Sequence, residues 1–288
     1  MLRRLGPAVV VSASIALLAA FNGGYAPTLW GWFALASIWL ALLALVFRSP
    51  LEVSRFAAAF LAALLALAGW TAVSLAWSAS VPRTMLELQR DLAYVGVVSC
   101  VVLLVRSDGR AALLHGVAAG ATAVSLYGLG EYLLATPAID TTQGYLLFRP
   151  VGYANALGAL SAIALPVVLG LAAHGSTRLL RCAASGTVVP LTTALYLTQS
   201  RAAWLGLAAG LVVWVARTNA AGRAVAVIAS TGVPAAAGVG LVRLSDLLDH
   251  QTPPADRGTR ALAVAAGIVV LGMVATVLSR HSGRLDLG

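Results

Sequence analysis

The chain has 288 residues, of which 60% are hydrophobic and only 10% are charged. Soluble domains carry about 25% charged residues, so this composition excludes an ordinary globular protein with a water-exposed surface. Lipid is the expected solvent instead. A membrane span needs about 20 mainly apolar residues, and runs of this kind fill nearly the whole chain.

Ten apolar stretches follow one another along the chain. They predict an all-α, polytopic integral membrane protein with about ten transmembrane helices, because the runs are rich in alanine and leucine and lack the two-residue alternation of lipid-facing strands. Only short polar segments separate the stretches, so residues 1–288 are expected to form a single transmembrane helical domain. The predicted spans are 6–21, 28–47, 56–77, 92–105, 111–134, 151–173, 182–198, 202–216, 224–242 and 261–279.

The first stretch also fits a second interpretation. Arg3 and Arg4 precede it and the small residues Ala19 and Ala20 lie near its end, a pattern typical of a cleavable signal peptide. Cleavage there would leave the orientation of the later spans unchanged.

The distribution of arginine orients the chain. All 19 basic residues are arginine, and alternate loops carry either twelve arginines with three acids or seven arginines with seven acids, so one side holds the entire net charge of +9. Positively charged loops face the cytoplasm. Both termini belong to the arginine-rich side and are therefore predicted to be cytoplasmic. The arginines of that side are Arg3, Arg4, Arg48, Arg55, Arg106, Arg110, Arg178, Arg181, Arg217, Arg223, Arg280 and Arg284.

The positive charge indicates the lipid bilayer as a partner and not nucleic acid. Anionic headgroups of the inner leaflet attract arginine, whereas the chain has no basic domain that could follow a nucleic acid. Cys100 and Cys182 lie inside apolar spans as small fillers, and the four histidines have no metal-ligand spacing. We therefore expect no metal and no cofactor.

Three segments of the opposite side, 78–91, 135–150 and 243–260, are longer than the other loops. Segment 78–91 mixes leucine and methionine with charges, as an amphipathic helix lying flat on the outer leaflet would. Its acids Glu87 and Asp91 could form a carboxylate pair for acid/base chemistry. Arg83 and Arg90 flank them, and salt-bridged acids on a solvated face are the favoured interpretation.

Two polar stretches at the outer face are candidates for chemistry. Residues 148–158 lead into the sixth span, and residues 197–204 lead into the eighth. Each stretch has an arginine, Arg149 or Arg201, at or just before the predicted start of a helix. Pro150 suits the first turn of the sixth helix, and Ser200 can cap the eighth. Helix N-termini and guanidinium groups both bind phosphate.

A structural role for the same residues stays open. Arg149 and Arg201 could instead extend to the membrane interface, or pair with Asp140 or Glu131. Asn155 is predicted to lie one turn inside the sixth span, where a buried amide marks a site or makes a hydrogen bond between helices.

The run Arg-Pro-x-Gly-Tyr-x-Asn at 149–155, followed by Thr-x-Ser-Arg at 198–201, resembles the paired signature of the O-antigen ligase and polymerase family. These are multi-span glycosyltransferases of the bacterial envelope. They take a glycan from a polyprenyl diphosphate carrier in the plasma (inner) membrane during biosynthesis of cell-surface polysaccharide. The span pattern resembles that family over residues 25–280.

This resemblance implies a metal-independent transfer to an envelope acceptor at the outer face. Arg149 and Arg201 match the two motif arginines, expected to hold the diphosphate and stabilise it as leaving group. Asn155 matches the motif asparagine, and Ser200 adjoins the second arginine, so both join the substrate-binding set. Fixed cations in a site of low dielectric would meet the charge that grows on the departing diphosphate.

One departure from the family pattern affects the expected activity. Members normally carry a large external loop with a histidine after these spans, whereas this chain has only 243–260 and ends at Gly288. His250 lies in that segment without the family's surrounding motif. We therefore expect either an incomplete member lacking its acceptor half or a chain that has lost transfer and retains binding of the lipid diphosphate.

Two other classes of function remain open. A polysaccharide or lipid-linked substrate transporter or flippase would place ionisable groups near the bilayer midplane, where these spans carry almost none. A non-catalytic assembly subunit would rest on small-residue helix contacts such as Gly116/Gly120 and Gly206/Gly210.

Overall fold

A computed structural model describes residues 2–47, 53–105, 109–134, 140–248 and 256–282, with no side chains described for 2–5 and 281–282. Several residues used in the charge argument, and the predicted loop residue His250, lie outside these ranges. Within them the chain is helical. The α-helices are α1 Leu2–Ala20, α2 Pro27–Phe47, α3 Arg55–Ser74, α4 Val81–Leu104, α5 Arg110–Leu134, α6 Ala154–His174, α7 Arg178–Leu197, α8 Arg201–Arg217, α9 Ala221–Leu244 and α10 Arg257–Ser282.

The all-α prediction is confirmed for the described part of the chain. Six of its helices, α2, α3, α5, α6, α9 and α10, are long and apolar enough to cross a membrane. The chain is thus an α-helical protein suited to a membrane. Helix α8 has 17 residues, and α7 is less hydrophobic than its neighbours.

Segment 78–91 does not form a separate surface helix, and this prediction was wrong. Helix α4 runs without a break from Val81 to Leu104, joining that segment to the predicted fourth span. No glycine or proline lies between Arg83 and Val95, so nothing ends the helix where the charged residues give way to apolar ones.

Backbone contacts divide the chain into two compact units. Unit 1 comprises Met1–Val9 and Gly24–Leu113, and unit 2 comprises Val10–Gly23 and Leu114–Gly288. In unit 1, α4 packs against α2 and α3. The expected single domain stays a prediction.

The charged half of α4 is paired inside unit 1. Arg90 donates to Glu87 at 2.8 Å, as predicted for the flanking arginines, and its guanidinium lies 6.0 Å from the centre of the Trp30 ring. Asp91 accepts a hydrogen bond from the Thr71 hydroxyl at 2.7 Å. The salt-bridged interpretation is thus confirmed for Glu87, whereas Asp91 pairs with a threonine hydroxyl of α3.

Helix α7 forms the centre of unit 2, where it packs against α6, α9 and α10. Its hydroxyl groups bond within the helix: Ser185 donates to the carbonyl of Arg181, and Thr193 to that of Val189, both at 2.9 Å. Because these polar groups are satisfied locally, a helix of modest hydropathy can be surrounded by apolar neighbours.

The helices α6 to α9 reverse direction at the short turns 175–177, 198–200 and 218–220. Unit 2 therefore has two ends. At the Arg201 end α6, α8 and α10 begin and α7 and α9 finish. At the Arg178 end α7 and α9 begin and α6, α8 and α10 finish.

Two glycines bring α7 and α10 into close contact. A Cβ atom on Gly272 would lie 2.9 Å from the carbonyl oxygen of Gly186. Beside them the Thr276 hydroxyl reaches the carbonyl of Cys182 at 2.9 Å. Only a residue without a side chain allows the two backbones to approach this closely.

Replacing Gly272 by alanine should destabilise the protein, because the added methyl group meets backbone that cannot rotate away. We expect a loss of about 1–3 kcal/mol, the usual cost of overpacking, seen as a lower midpoint of thermal unfolding in detergent. Gly240→Ala in α9 is the matched control: no atom of the described residues outside its own stretch of helix lies within 4 Å of its Cβ position, so stability should hold or rise by up to about 1 kcal/mol. Equal midpoints for the two variants would contradict the packing of α7 on α10.

Candidate functional site

The loop between α5 and α6 is ordered by its own polar groups from Asp140 onwards. The Asp140 carboxylate accepts from the backbone N–H groups of Thr142 and Gln143, both at 2.8 Å. Asp140 and Gly144 also exchange two backbone hydrogen bonds. These N–H groups hold the pKa of the Asp140 carboxyl below its usual range. Asp140 therefore serves its own loop and is not the hydrogen-bond partner of Arg149.

The same loop is attached to the ends of two helices. The Gln143 side-chain oxygen accepts from the backbone N–H of Ala154 at 3.0 Å, and so caps the start of α6. The backbone N–H of Leu147 donates to the carbonyl of Leu197, the last residue of α7, at 3.1 Å. Leu147 itself is buried. Both candidate stretches of the sequence are thus linked through this loop.

Arg149 lies five residues before the first residue of α6 and is exposed. Its guanidinium donates to the Glu131 carboxylate at 2.8 Å and lies 5.8 Å from the centre of the Phe148 ring. The hydrogen bond that Arg149 donates to Glu131 raises the pKa of Arg149 above its ordinary value. Pairing with Glu131, one of the two alternatives for this arginine, is confirmed.

The predicted positions of Pro150 and Asn155 were wrong by about one turn. Helix α6 begins at Ala154, because Gly152 has a φ of +83° and Tyr153 is extended. Pro150 therefore belongs to the preceding turn and not to the first turn of the helix. Asn155 lies in that first turn, is exposed, and donates from Nδ2 to the Tyr153 hydroxyl at 2.7 Å. Among the described residues its amide makes no hydrogen bond to another helix.

The second stretch forms the turn between α7 and α8. Ser200 caps α8 as predicted, its hydroxyl accepting from the backbone N–H of Ala203 at 3.4 Å. Thr198 and Ser200 are buried, and Gln199 between them has a φ of +51°. Arg201 is the first residue of α8 and is exposed. Among the described residues its guanidinium has no hydrogen-bond or ion-pair partner, so its donors are available to a ligand.

A glycine places the first turns of α6 and α8 side by side. A Cβ atom on Gly158 would lie 2.8 Å from the Thr198 hydroxyl oxygen and 2.9 Å from the Ser200 Cβ. The two polar stretches predicted to act together therefore contact each other at this glycine and at the Leu147–Leu197 hydrogen bond. Convergence of the two guanidinium groups on one ligand stays a prediction.

A third arginine at the same end was counted in the sequence only as a charge. Arg257, the first residue of α10, donates from Nη1 to the carbonyl of Leu247 at 2.9 Å. Its Nε is buried and has no hydrogen-bond partner among the described residues. Its place at a helix start is the same signal that identified Arg149 and Arg201.

An apolar groove of about 390 Å³ runs between α6, α7, α8 and α9. Trp204, Leu207 and Leu211 of α8 line one side of it, and Leu165 and Leu169 of α6 line another. Trp204 lies three residues after Arg201, which places the two side chains on one face of the helix. The groove thus extends along the apolar face of α8 from its first turn.

No metal site is found in the part of the chain that the structure describes. There, no three side chains of His, Cys, Asp or Glu come close enough to hold an ion.

The cap of α6 can be tested with two substitutions of Gln143. Removing the acceptor in Gln143→Ala should cost about 1 kcal/mol, as loss of a helix cap does. Gln143→Glu keeps an oxygen at the same reach and adds negative charge at a helix N-terminus, so its stability should match or exceed that of the parent. Thermal unfolding in detergent at neutral pH measures both. A Gln143→Glu variant as unstable as Gln143→Ala would show that the cap is not formed.

No protein-family model, curated protein or solved structure matches this chain.

Proposed function

We propose that the chain is a multi-pass protein of the plasma membrane, with about ten spans and both termini in the cytoplasm. In this arrangement the Arg201 end of unit 2 faces outward. The charge distribution supports it: the acids paired in unit 2, Glu131, Asp246 and Asp256, all lie at the Arg201 end. Arg178, Arg181, Arg223 and Arg280 lie at the other end, as the positive-inside rule requires of the cytoplasmic side.

The proposed function is binding of a polyprenyl-diphosphate-linked glycan at the outer face and its transfer to an envelope acceptor. One observation carries it: an arginine whose donors are available stands at the first position of a capped helix, next to an apolar groove. The diphosphate suits the guanidinium and the N–H groups at the start of α8. The isoprenoid chain suits the groove.

Arg149 takes the second phosphate in this proposal. It must then exchange its Glu131 partner for a phosphate oxygen. The exchange replaces one exposed ion pair by another, and exposed pairs contribute little to stability, so the cost is small.

The proposed transfer reaction starts from this bound state. An acceptor hydroxyl attacks the anomeric carbon of the glycan, and the bond from that carbon to the diphosphate oxygen breaks. The carrier leaves as polyprenyl diphosphate and the hydroxyl proton passes to solvent. Guanidinium groups fixed at the diphosphate stabilise the charge that grows on it. The resemblance of 149–155 and 198–201 to the ligase and polymerase signature supports this reaction class.

Lysine substitutions test the binding step, because lysine keeps the charge and loses the planar fork of donors. We expect Arg201→Lys to weaken binding of polyprenyl diphosphate about tenfold, equivalent to about 1.4 kcal/mol, and Arg149→Lys to weaken it similarly. The measurement is a titration in detergent followed by native mass spectrometry. In a structure with the lipid bound, the two guanidinium carbons should lie roughly 10 Å or less apart, within reach of one diphosphate.

Arg217→Lys is the matched control. Arg217 is also exposed and ends the helix that Arg201 begins, so its substitution should leave binding unchanged. If Arg149→Lys and Arg201→Lys bind the lipid as the parent does, the glycosyltransferase proposal fails. A transporter or an assembly subunit would then be the better account.

A further inference from the structure

The Arg178 end of unit 2 contains a cavity of about 580 Å³ that four arginines line. Arg178 and Arg181 come from the start of α7, Arg223 from the start of α9 and Arg280 from the end of α10. We refer to it as the arginine pocket. Its volume falls in the range of about 300–1,000 Å³ that is usual for small-molecule sites.

None of the described residues that line the arginine pocket is acidic. The guanidinium groups of Arg178, Arg181 and Arg280 repel each other around the cavity, and a bound anion would relieve that repulsion. Guanidinium is also the side chain that holds phosphate oxygens in a bidentate manner.

Two of the arginines are held in place by hydrogen bonds that use only part of their guanidinium N–H groups. Arg181 donates from Nη1 to the carbonyl of Gly175 at 2.8 Å, and Arg280 donates from Nε to the sulfur of Cys182 at 3.1 Å. A guanidinium has five N–H donors, so each keeps several for a ligand. Arg178 is exposed and makes no hydrogen bond or ion pair to another described residue.

Apolar side chains in the walls of the pocket indicate the source of the anion. Ala172 and Ala173 of α6, Val227 of α9 and Val277 of α10 line it together with the arginines, Cys182 and Ser279. A pocket that combines arginines with apolar side chains of the membrane-compatible helices α6, α9 and α10 suits a phosphate joined to a hydrocarbon tail. Free phosphate would leave this apolar surface without a partner.

We propose that the arginine pocket binds the phosphate of an anionic phospholipid headgroup. The site lies at the end of unit 2 opposite to Arg201, and the proposal does not depend on the proposed function. Its lipid is a structural or regulatory ligand and not the glycan carrier. Because the pocket joins α7, α9 and α10, an occupying lipid should hold their ends together and raise the stability of unit 2.

The test compares three ligands on the detergent-purified full chain. Phosphatidylglycerol should bind and raise the midpoint of thermal unfolding, whereas inorganic phosphate and zwitterionic phosphatidylcholine should bind at least tenfold more weakly. Equal binding of inorganic phosphate would overturn the lipid assignment. Equal binding of phosphatidylcholine would overturn the role assigned to the charge of the arginines.

Two variants locate the site. Arg178→Gln should weaken phosphatidylglycerol about tenfold and abolish most of the lipid-induced stabilisation, while stability without lipid stays as in the parent, because Arg178 makes no hydrogen bond or ion pair with the described residues. Arg217→Gln removes an exposed arginine of the same end that does not line the pocket, and should leave lipid binding unchanged. Equal affinity in the two variants would overturn the proposal, since the attraction would then belong to the positive surface as a whole.

Discussion

The fold of unit 2 depends on one constraint, which is that apolar helices can place charge only where the helices end. Unpaired ions inside a hydrocarbon layer cost several kcal/mol each. In unit 2 the described arginines accordingly stand in the first or last turns of their helices, as Arg201 and Arg217 do at the two ends of α8, or in the loop before a helix, as Arg149 does. The candidate binding residues of unit 2 therefore lie at one of its two ends. The apolar helices between the ends hold these residues in place.

The two ends differ in how their charge is satisfied. At the Arg201 end acids accompany the arginines: Glu131 pairs with Arg149, while Asp246 and Asp256 both pair with Arg260. At the Arg178 end the arginines line a cavity in which none of the described wall residues is acidic. The first arrangement suits a ligand that comes and goes by exchanging partners. The second suits a resident anion, because the described walls offer Arg178, Arg181 and Arg280 no carboxylate as an alternative partner.

The sequence predicted the features that depend on local chemistry. Ser200 could be identified as the cap of α8 because a serine directly precedes an arginine and an apolar run, a pattern that needs no distant partner. The start of α6 could not, since Gln143 caps it from eleven residues away and the left-handed Gly152 holds Pro150 outside the helix. Asn155 therefore lies in the first turn of α6 with its side chain exposed, and not a full turn further into the helix.

Contacts between distant helices were the least predictable. Gly120, predicted to pack, does meet Ser12 and Ile15 closely, whereas no atom lies within 4 Å of the Cβ position of Gly206. The close pair Gly186 and Gly272 stands on helices far apart in sequence, so spacing along either helix reveals nothing of it. The arginine pocket could not be predicted for the same reason. Its arginines belong to three helices, and their positions in the sequence do not show that the ends of those helices lie together.

The orientation of the two ends tests the central claim most directly, because the proposed site must face the outside of the cell. Single cysteines at the exposed positions Thr142 and Ser176 report the Arg201 end and the Arg178 end, in a background of Cys100→Ala and Cys182→Ala. A membrane-impermeant maleimide added to intact cells should label Thr142→Cys at once and Ser176→Cys only after permeabilisation. Labelling of Ser176→Cys in intact cells, with Thr142→Cys protected, would contradict the orientation and the proposed function with it.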